Sequence, residues 1–180
     1  GAAGGLGIAA IHVAKAMGAN VIAAASSNEK LDLCKQQGAD STVLYSRDNM
    51  DRDSQKNFSS ELKALTNNKG VNVVFDPVGG AYSEPALRAI AWKGRYLVIG
   101  FTSSIPSIPL NLALLKGCQI IGVFWGAFCM REPNINNENF HQLFLMYEKG
   151  QIKPFVTETF PLEQTAEAIN KLANRNAIGK

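Results

Sequence analysis

The sequence has few of the residues that metal sites need and no segment that would suit a membrane. Its three cysteines, Cys34, Cys118 and Cys129, show no Cys-x-x-Cys spacing, and there are two histidines in 180 residues. A structural zinc site takes four ligands at characteristic intervals, so we predict no metal site. No apolar run reaches the roughly 18 residues of a membrane span, so we expect no membrane partner. The odd cysteine count suits a reducing compartment, and we predict a cytoplasmic protein, with the mitochondrion as the alternative.

The sequence also has no block of like charges. Lys and Arg number 18 and Asp and Glu 15, which gives a formal net charge of +3. Nucleic acids and anionic surfaces are bound through clustered cations, so we predict no nucleic-acid partner. The chain is 46% apolar. This apolar fraction is enough to form one sizeable core. The chain length also lies within the range of about 100–200 residues that is usual for one domain.

A glycine-rich stretch opens the chain, at residues 1–7, and an apolar run with helical periodicity follows it. Glycine lets the backbone approach a dinucleotide pyrophosphate, and the helix N-terminus supplies N–H groups and a partial positive charge. Ala2 replaces the first glycine of the G-x-G-x-x-G pattern, so the match is partial, and a glycine-rich turn before an ordinary helix is the alternative. The cofactor contacts predicted here are Ala3, Gly4, Gly5, Leu6 and Gly7.

Strand and helix patterns alternate along the rest of the chain. The predicted strands are residues 20–25, 42–45, 71–76, 94–101, 119–125 and 156–160. The predicted helices are residues 8–17, 29–37, 58–66, 81–91, 110–116, 136–149 and 162–172, with a surface loop at 46–57. Such alternation implies an α/β fold with a Rossmann-type doubly wound parallel sheet. That fold has a strand before its glycine-rich loop, so we expect a fragment that lacks its first strand and is either unstable or replaces it.

Residues 1–7, 76–80, 94–101 and 121–126 occur in an order and spacing that resemble one family over nearly the whole chain. This family is the quinone oxidoreductase, or zeta-crystallin-like, branch of the medium-chain dehydrogenase/reductase superfamily. The resemblance implies an NADP(H)-binding Rossmann domain at residues 1–150 and a segment at 151–180 that returns toward an absent catalytic domain. It also implies zinc-independent transfer of hydride from NADPH to a quinone or an activated alkene. No general acid stands out in the chain, and the catalytic residues stay unknown.

The residues after the strand predicted at 20–25 indicate which dinucleotide is bound. A site that prefers NAD carries Asp or Glu about 20 residues past the glycines. This chain has Ser26 and Ser27 there, followed by Lys30. Two hydroxyls and a cation suit a 2′-phosphate, so we predict NADP(H) as the cofactor. The alternative for Lys30 is a solvated helix lysine.

The resemblance adds residues near the same phosphate and near the C-terminus. Tyr45 matches a family tyrosine beside the 2′-phosphate, and Arg47 is a second cation, for which a plain loop charge is the alternative. Arg175 matches a basic residue near the end of the family's chain, and we expect it to contact the cofactor.

Further cofactor contacts are expected at the carboxyl ends of the strands, where doubly wound sheets bind their ligands. The loop after residues 71–76 contributes Asp76 and Val78. The resemblance places four more residues on the nicotinamide side, Gly100, Phe101, Val123 and Phe124. The alternatives are a helix cap for Asp76 and core packing for the two phenylalanines.

Other classes and assemblies remain open. A non-catalytic relative that senses nucleotide or binds a partner is the alternative to an enzyme. A methyltransferase also has a glycine-rich loop, but it usually has an acidic residue at the end of its second strand, and none is present here. The apolar segment 117–128 and the resemblance together predict a homodimer, although a covered edge or a crevice under a loop would give the same pattern. We expect His12 and His141 to be helical residues without a catalytic role.

Overall fold

The computed structural model describes residues 1–46, 50–174 and 177–180. The chain divides into two compact units, one of residues 1–42 with 142–180 and one of residues 43–141. Each unit has a buried apolar cluster of its own. The domain boundary predicted at residue 150 stays a prediction.

The N-terminal part alternates helix and strand as predicted. α1 (Gly5–Ala16) is followed by β1 (Ile22–Ala25), α2 (Asn28–Gln36) and β2 (Ser41–Leu44), and β1 pairs with β2. Gly18 and Gly38 follow the two helices with φ of +79° and +104°, which glycine adopts without strain. Ser27 caps α2, because its Oγ accepts the N–H of Lys30 at 3.4 Å.

The second unit is built on a three-stranded parallel sheet in the order β3–β4–β5. Its elements are α3 (Arg52–Ala64), β3 (Val71–Asp76), a 3-10 turn (Gly80–Tyr82), α4 (Ser83–Arg88), β4 (Ile90–Val98), α5 (Asn111–Lys116), β5 (Gln119–Gly122) and α6 (Trp125–Arg131). Leu87, Ile90, Tyr96 and Leu112 form its buried cluster. Parallel strands with intervening helices confirm the predicted α/β class.

Two further helices complete the described chain. α7 (Pro133–Glu148) runs across the boundary between the units, and α8 (Thr165–Ala173) follows a 3-10 turn (Leu162–Gln164). No helix among the described residues is long and apolar enough to cross a membrane.

The described strands lie in two sheets, a pair and a trio. At the glycine-rich loop, Gly179 forms a parallel bridge with Gly4 and donates its N–H to the carbonyl oxygen of Ala3 at 2.8 Å.

Two helix boundaries differ from the prediction. α3 begins at Arg52, within the predicted loop 46–57, because Asp51 caps it by accepting the N–H of Ser54 at 2.9 Å. α4 ends at Arg88 and β4 begins at Ile90, where a helix was predicted to run to residue 91. Ala89, Ile90 and Ala91 at this join are apolar and buried, and a short apolar run is compatible with either a helix or a strand.

Two strand predictions also differ. β5 ends at Gly122, and Trp125 begins α6 rather than ending the strand. Residues 156–160 lie in no strand of the described chain. Thr157 instead forms hydrogen bonds with the C-terminal residues. Its N–H donates to the oxygen of Lys180 at 2.7 Å, and its hydroxyl donates to the oxygen of Ile178 at 2.7 Å and to that of Lys180 at 3.1 Å.

Cys34 lies in the buried cluster of the first unit, with Ala3, Ile11, Ala23 and Ala39. Its side chain is fully buried, and this burial raises the pKa of the thiol. Because a thiol must be accessible and ionised to react, we expect Cys34 to react with a thiol reagent far more slowly than the partly exposed Cys118 and Cys129. Thiol titration with and without denaturant checks this, and a Cys34→Ser variant should lack the slow phase. Equal rates for all three thiols in the folded protein would contradict it.

Candidate functional site

The glycine-rich loop leads into the N-terminus of α1 and is tied to the end of β1. Ala2 donates its N–H to the carbonyl oxygen of Ala24 at 3.2 Å, and Ile8 donates to Gly4 at 2.9 Å. Gly4 is the N-cap of α1, no described side chain caps it, and the first turn holds no acidic residue. A helix N-terminus leaves N–H groups without intrahelical partners and carries a partial positive charge. The loop therefore presents donors and positive potential to an anion.

The glycines of this loop differ in what surrounds them. A Cβ on Gly7 would lie 2.3 Å from the carbonyl oxygen of Ala2, so the chain itself excludes a side chain there. A Cβ on Gly4 would have its nearest neighbour at 3.8 Å, the oxygen of Gly1, and one on Gly5 would meet Lys180 Cβ at 3.3 Å. Gly7 thus serves close packing within the loop, whereas Gly4 leaves an open surface beside the helix end. Of the two remaining predicted residues, Ala3 is buried and Leu6 is exposed.

Ser26, Ser27 and Lys30 lie together after β1. The two serines follow the strand directly, and Lys30 lies in the first turn of α2. All three side chains are partly buried. Since Ala24 of the same strand holds the glycine-rich loop, β1 brings both groups of predicted residues to one end of one strand.

Tyr45 is held by aromatic neighbours in the second unit. Its ring packs edge-on against Phe58 at a centroid distance of 6.1 Å and tilted against Tyr82 at 4.8 Å. The hydroxyl of Tyr82 donates to the carbonyl oxygen of Ser46 at 3.1 Å. The ring of Tyr45 therefore has a defined position. Arg47 and Arg175, the two predicted cations, lie outside the described residues.

The carboxylate of Asp76 organises the loop after β3. Its Oδ1 accepts the N–H groups of Val78 at 2.8 Å and Gly79 at 3.0 Å. Its Oδ2 accepts the hydroxyls of Ser83, at 2.8 Å, and Tyr96. Burial raises the pKa of Tyr96, and the hydrogen bond to the Asp76 carboxylate raises it further, so the hydroxyl stays protonated and donates.

The helix-cap alternative for Asp76 is wrong. In the described structure, no side chain caps the 3-10 turn (Gly80–Tyr82) or α4. Sequence analysis missed Ser83 and Tyr96 altogether. A signal for Tyr96 was available, because a tyrosine predicted in a buried strand usually needs a partner for its hydroxyl.

The loops after β3 and β4 are joined through their backbones. Ser103 donates its N–H to Val78 at 2.9 Å, and Gly80 donates to Ser104 at 2.7 Å. Gly79 has φ of +72° and is buried, and a Cβ there would lie 2.6 Å from the carbonyl oxygen of Ser104. The two loops therefore form one closely packed unit in which Gly79 is required.

The remaining predicted residues flank these loops and β5. Gly100 donates its N–H to the carbonyl oxygen of Asp76 at 3.4 Å, and Val123 donates to Val98 at 2.9 Å. Phe101 is 46% and Phe124 is 78% exposed, so neither closes the core, and the core-packing alternative is wrong for both. Both aromatic rings are left on the surface of the second unit.

Comparisons with known proteins agree with this fold. The sequence profile of the family described as zinc-binding dehydrogenase matches residues 5–143. The quinone oxidoreductase-like protein 2 of Bos taurus is 38% identical over 99% of this chain and 50% of its own length, and a homolog from Nematostella vectensis is 35% identical over 99% and 47%. A crystal structure of Escherichia coli quinone oxidoreductase complexed with NADPH superposes with a TM-score of 0.82, at 26% identity, over 99% of this chain and 53% of that one.

These matches define an oxidoreductase-type nucleotide-binding fold, and the chain belongs to the zinc-binding dehydrogenase family. Within it, the relatives place the chain on the quinone oxidoreductase branch of the medium-chain dehydrogenase/reductase superfamily, as the sequence motifs predict. The chain spans about half the length of the curated relatives that it matches.

The family description names zinc, and the residues of this chain do not fit a zinc site. Across residues 1–46, 50–174 and 177–180, no three or more His, Cys, Asp or Glu side chains are grouped so as to hold a metal ion. Cys34, whose thiol is fully buried, packs among alanines and Ile11. No chemical step through zinc is therefore assigned to these residues.

Proposed function

We propose that this chain binds NADP(H) as the cofactor-binding part of a zinc-independent oxidoreductase that transfers hydride from NADPH to a quinone or an activated alkene. The observation that carries the proposal is the arrangement at the end of β1. Both the N-terminus of α1, which no described side chain caps, and the group Ser26, Ser27 and Lys30 lie next to that strand end. The NADPH complex of the Escherichia coli relative supports the same cofactor.

The roles follow from the chemistry of each group. Backbone N–H groups of residues 5–7 suit the pyrophosphate, and the Ser26 and Ser27 hydroxyls with the Lys30 ammonium suit the 2′-phosphate, beside which the resemblance places Tyr45. Gly4 and Ala3 shape the loop. The resemblance places Gly100, Phe101, Val123 and Phe124 on the nicotinamide side, and Val78 lies in the loop after β3, at a strand end where doubly wound sheets bind their ligands. We propose that these residues orient the nicotinamide and exclude water, while Asp76 acts through its neighbours. When bound, the nicotinamide supplies the hydride chemistry.

A change of charge at Lys30 tests the choice of cofactor. We expect NADPH to bind more tightly than NADH at low salt, and Lys30→Glu to weaken NADPH by about ten- to hundredfold, the cost of a lost hydrogen bond to a charged group, with little effect on NADH. Fluorescence titration of both nucleotides measures this. Lys35→Glu, in the last turn of the same helix, is the matched control. Equal affinity of the unaltered protein for the two nucleotides would contradict the 2′-phosphate site.

Turnover distinguishes the enzyme from a non-catalytic relative. The protein at its full natural length, mixed with NADPH and a set of quinones and enones, should oxidise NADPH only when an acceptor is present. NADPH binding without any turnover would favour a nucleotide sensor or a partner-binding relative instead.

We also propose that the chain forms a homodimer through β5. Among the described strands, β5 is the end strand of its sheet, and the apolar side chains of Ile120, Val123 and Trp125 near it are exposed. An edge strand offers unpaired N–H and C=O groups to a second copy, and two-fold dimers are the commonest assembly. Sedimentation should give twice the monomer mass, and Ile120→Lys should give the monomer. Ile169→Lys, at a more exposed isoleucine on α8, is the control, and a monomeric unaltered protein would contradict the proposal.

A further inference from the structure

The carboxylate of Asp76 is saturated with hydrogen bonds from its own chain. An ionised carboxylate has about four acceptor sites. Here, two are used by the backbone N–H groups of Val78 and Gly79 and two by the hydroxyls of Ser83 and Tyr96. With its sites filled, the carboxylate is not available to a ribose or a substrate. Any effect of Asp76 on a ligand must therefore pass through the groups that it holds.

The two hydroxyl donors anchor this carboxylate to the core of the second unit. Ser83 begins α4 and is 1% exposed, and Tyr96 lies near the C-terminal end of β4 and is 2% exposed. Tyr96 packs in the buried cluster with Leu87, Ile90 and Leu112. The carboxylate thus links the end of β3, the start of α4 and the neighbouring strand at one point.

The backbone held by Asp76 also holds the next loop. The carbonyl oxygen of Val78 accepts the N–H of Ser103, and Gly79 forms a parallel bridge with Ser104. Phe101 lies against Gly79, since its Cδ1 would be 3.0 Å from a Cβ placed there. A shift at Val78 and Gly79 is therefore transmitted to the loop that carries Phe101.

We infer that Ser83 and Tyr96 are positioning residues that act through Asp76 to fix the backbone of Val78 and Gly79, and with it Phe101, in the shape that receives the nicotinamide end of the cofactor. This inference rests on the proposed function. The residues that hydrogen-bond to Asp76 belong to the second unit, whereas Ser26, Ser27 and Lys30, the proposed phosphate-binding residues, belong to the first. Loss of a hydroxyl should therefore weaken ligands that carry a nicotinamide and spare those that do not.

Single hydroxyl deletions test this in the protein at its full natural length. Tyr96→Phe and Ser83→Ala remove one donor each and keep the packing volume nearly unchanged. We expect each to weaken NADPH by about tenfold, because the backbone of Val78 and Gly79 must then be reordered when the nicotinamide binds, and the lost hydrogen bond to a charged group sets the upper limit of that cost. Affinity for adenosine 2′,5′-bisphosphate, which lacks the nicotinamide, should be unchanged. Amide hydrogen exchange at Val78 and Gly79 should become faster. Tyr147→Phe, which removes an exposed hydroxyl on α7, should leave all three measurements unchanged.

The possible outcomes are distinct. Unchanged NADPH affinity in both variants overturns the inference, and so does a parallel loss of both ligands together with a lower melting temperature, which indicates a structural role only. An unaltered protein that binds neither nucleotide overturns the proposed function and this inference with it. If the unaltered protein binds NADPH and adenosine 2′,5′-bisphosphate, and the variants lose affinity for NADPH alone, the result supports the proposed function and this inference.

Discussion

Replacing Gly7 by alanine is expected to abolish detectable NADP(H) binding and to lower the thermal stability. Within a helix, alanine is normally more favourable than glycine by about 1 kcal/mol, so the opposite sign is informative. The added methyl would lie 2.3 Å from the carbonyl oxygen of Ala2 and 2.5 Å from that of Gly1. Ala2 cannot move without loss of its hydrogen bond to Ala24. Overpacking of this kind costs about 1–3 kcal/mol.

The effect of Gly7→Ala on the cofactor should exceed its effect on folding. The N–H groups of residues 5–7 are aimed by the same loop that the methyl displaces, so the donors to the pyrophosphate move together. We expect NADPH affinity to fall by more than about a hundredfold, or about 2.8 kcal/mol. Thermal melts and nucleotide fluorescence measure the two effects. Unchanged melting temperature and affinity would contradict the close packing at Ala2.

Gly4→Ala is the matched control for folding. Its methyl would have its nearest neighbour at ordinary contact distance, 3.8 Å, so we expect the melting temperature of the unaltered protein. If this folded variant also loses NADPH, the loss reports the approach of the ligand to the backbone at Gly4, because the chain itself has room for the methyl. The pair therefore separates a glycine required by the fold from one required by the ligand.

Elements with local signals could be predicted from the sequence. Gly18 and Gly38 end α1 and α2, and Ser27 caps α2, because positive φ and a side-chain cap depend on a few neighbouring residues. β3 matches its predicted residues, 71–76, since a short apolar run rich in β-branched residues and bounded by turn residues predicts a strand, although Val73 and Phe75 are exposed. The residues of the glycine-rich loop and those after β1 are also found together, because one strand end holds both.

Features that depend on the register between strands could not be predicted. The hydroxyl of Tyr96 reaches Asp76 because β3 and β4 pair in a register that places Tyr96 beside Val74, two residues from the carboxylate. The number of residues between Asp76 and Tyr96 in the sequence does not determine that register. The join of α4 and β4 was missed for a related reason, since a short apolar run suits a helix or a strand until its neighbours are known.

Replacing Gly79 by alanine is expected to separate the loops after β3 and β4. Gly79 has φ of +72° and ψ of −151°, a region that is essentially restricted to glycine and costs other residues about 1–3 kcal/mol. The methyl would also lie 2.6 Å from the carbonyl oxygen of Ser104 and 3.0 Å from Phe101 Cδ1. Both the backbone strain and the overlap act on the loop that carries Phe101, so we expect NADPH affinity to fall at least about tenfold.

Gly100→Ala provides the folding control for Gly79→Ala in the same pair of loops. Its methyl would meet the carbonyl oxygen of Pro77 at 3.6 Å, an ordinary contact, so its melting temperature should match that of the unaltered protein. Gly79→Ala should melt at a lower temperature and show faster amide exchange at Gly80 and Ser103, whose N–H groups join the two loops. If Gly79→Ala instead matched Gly100→Ala in melting temperature and exchange, the two loops would not be held together at Gly79, and the position of Phe101 would have to be set from elsewhere.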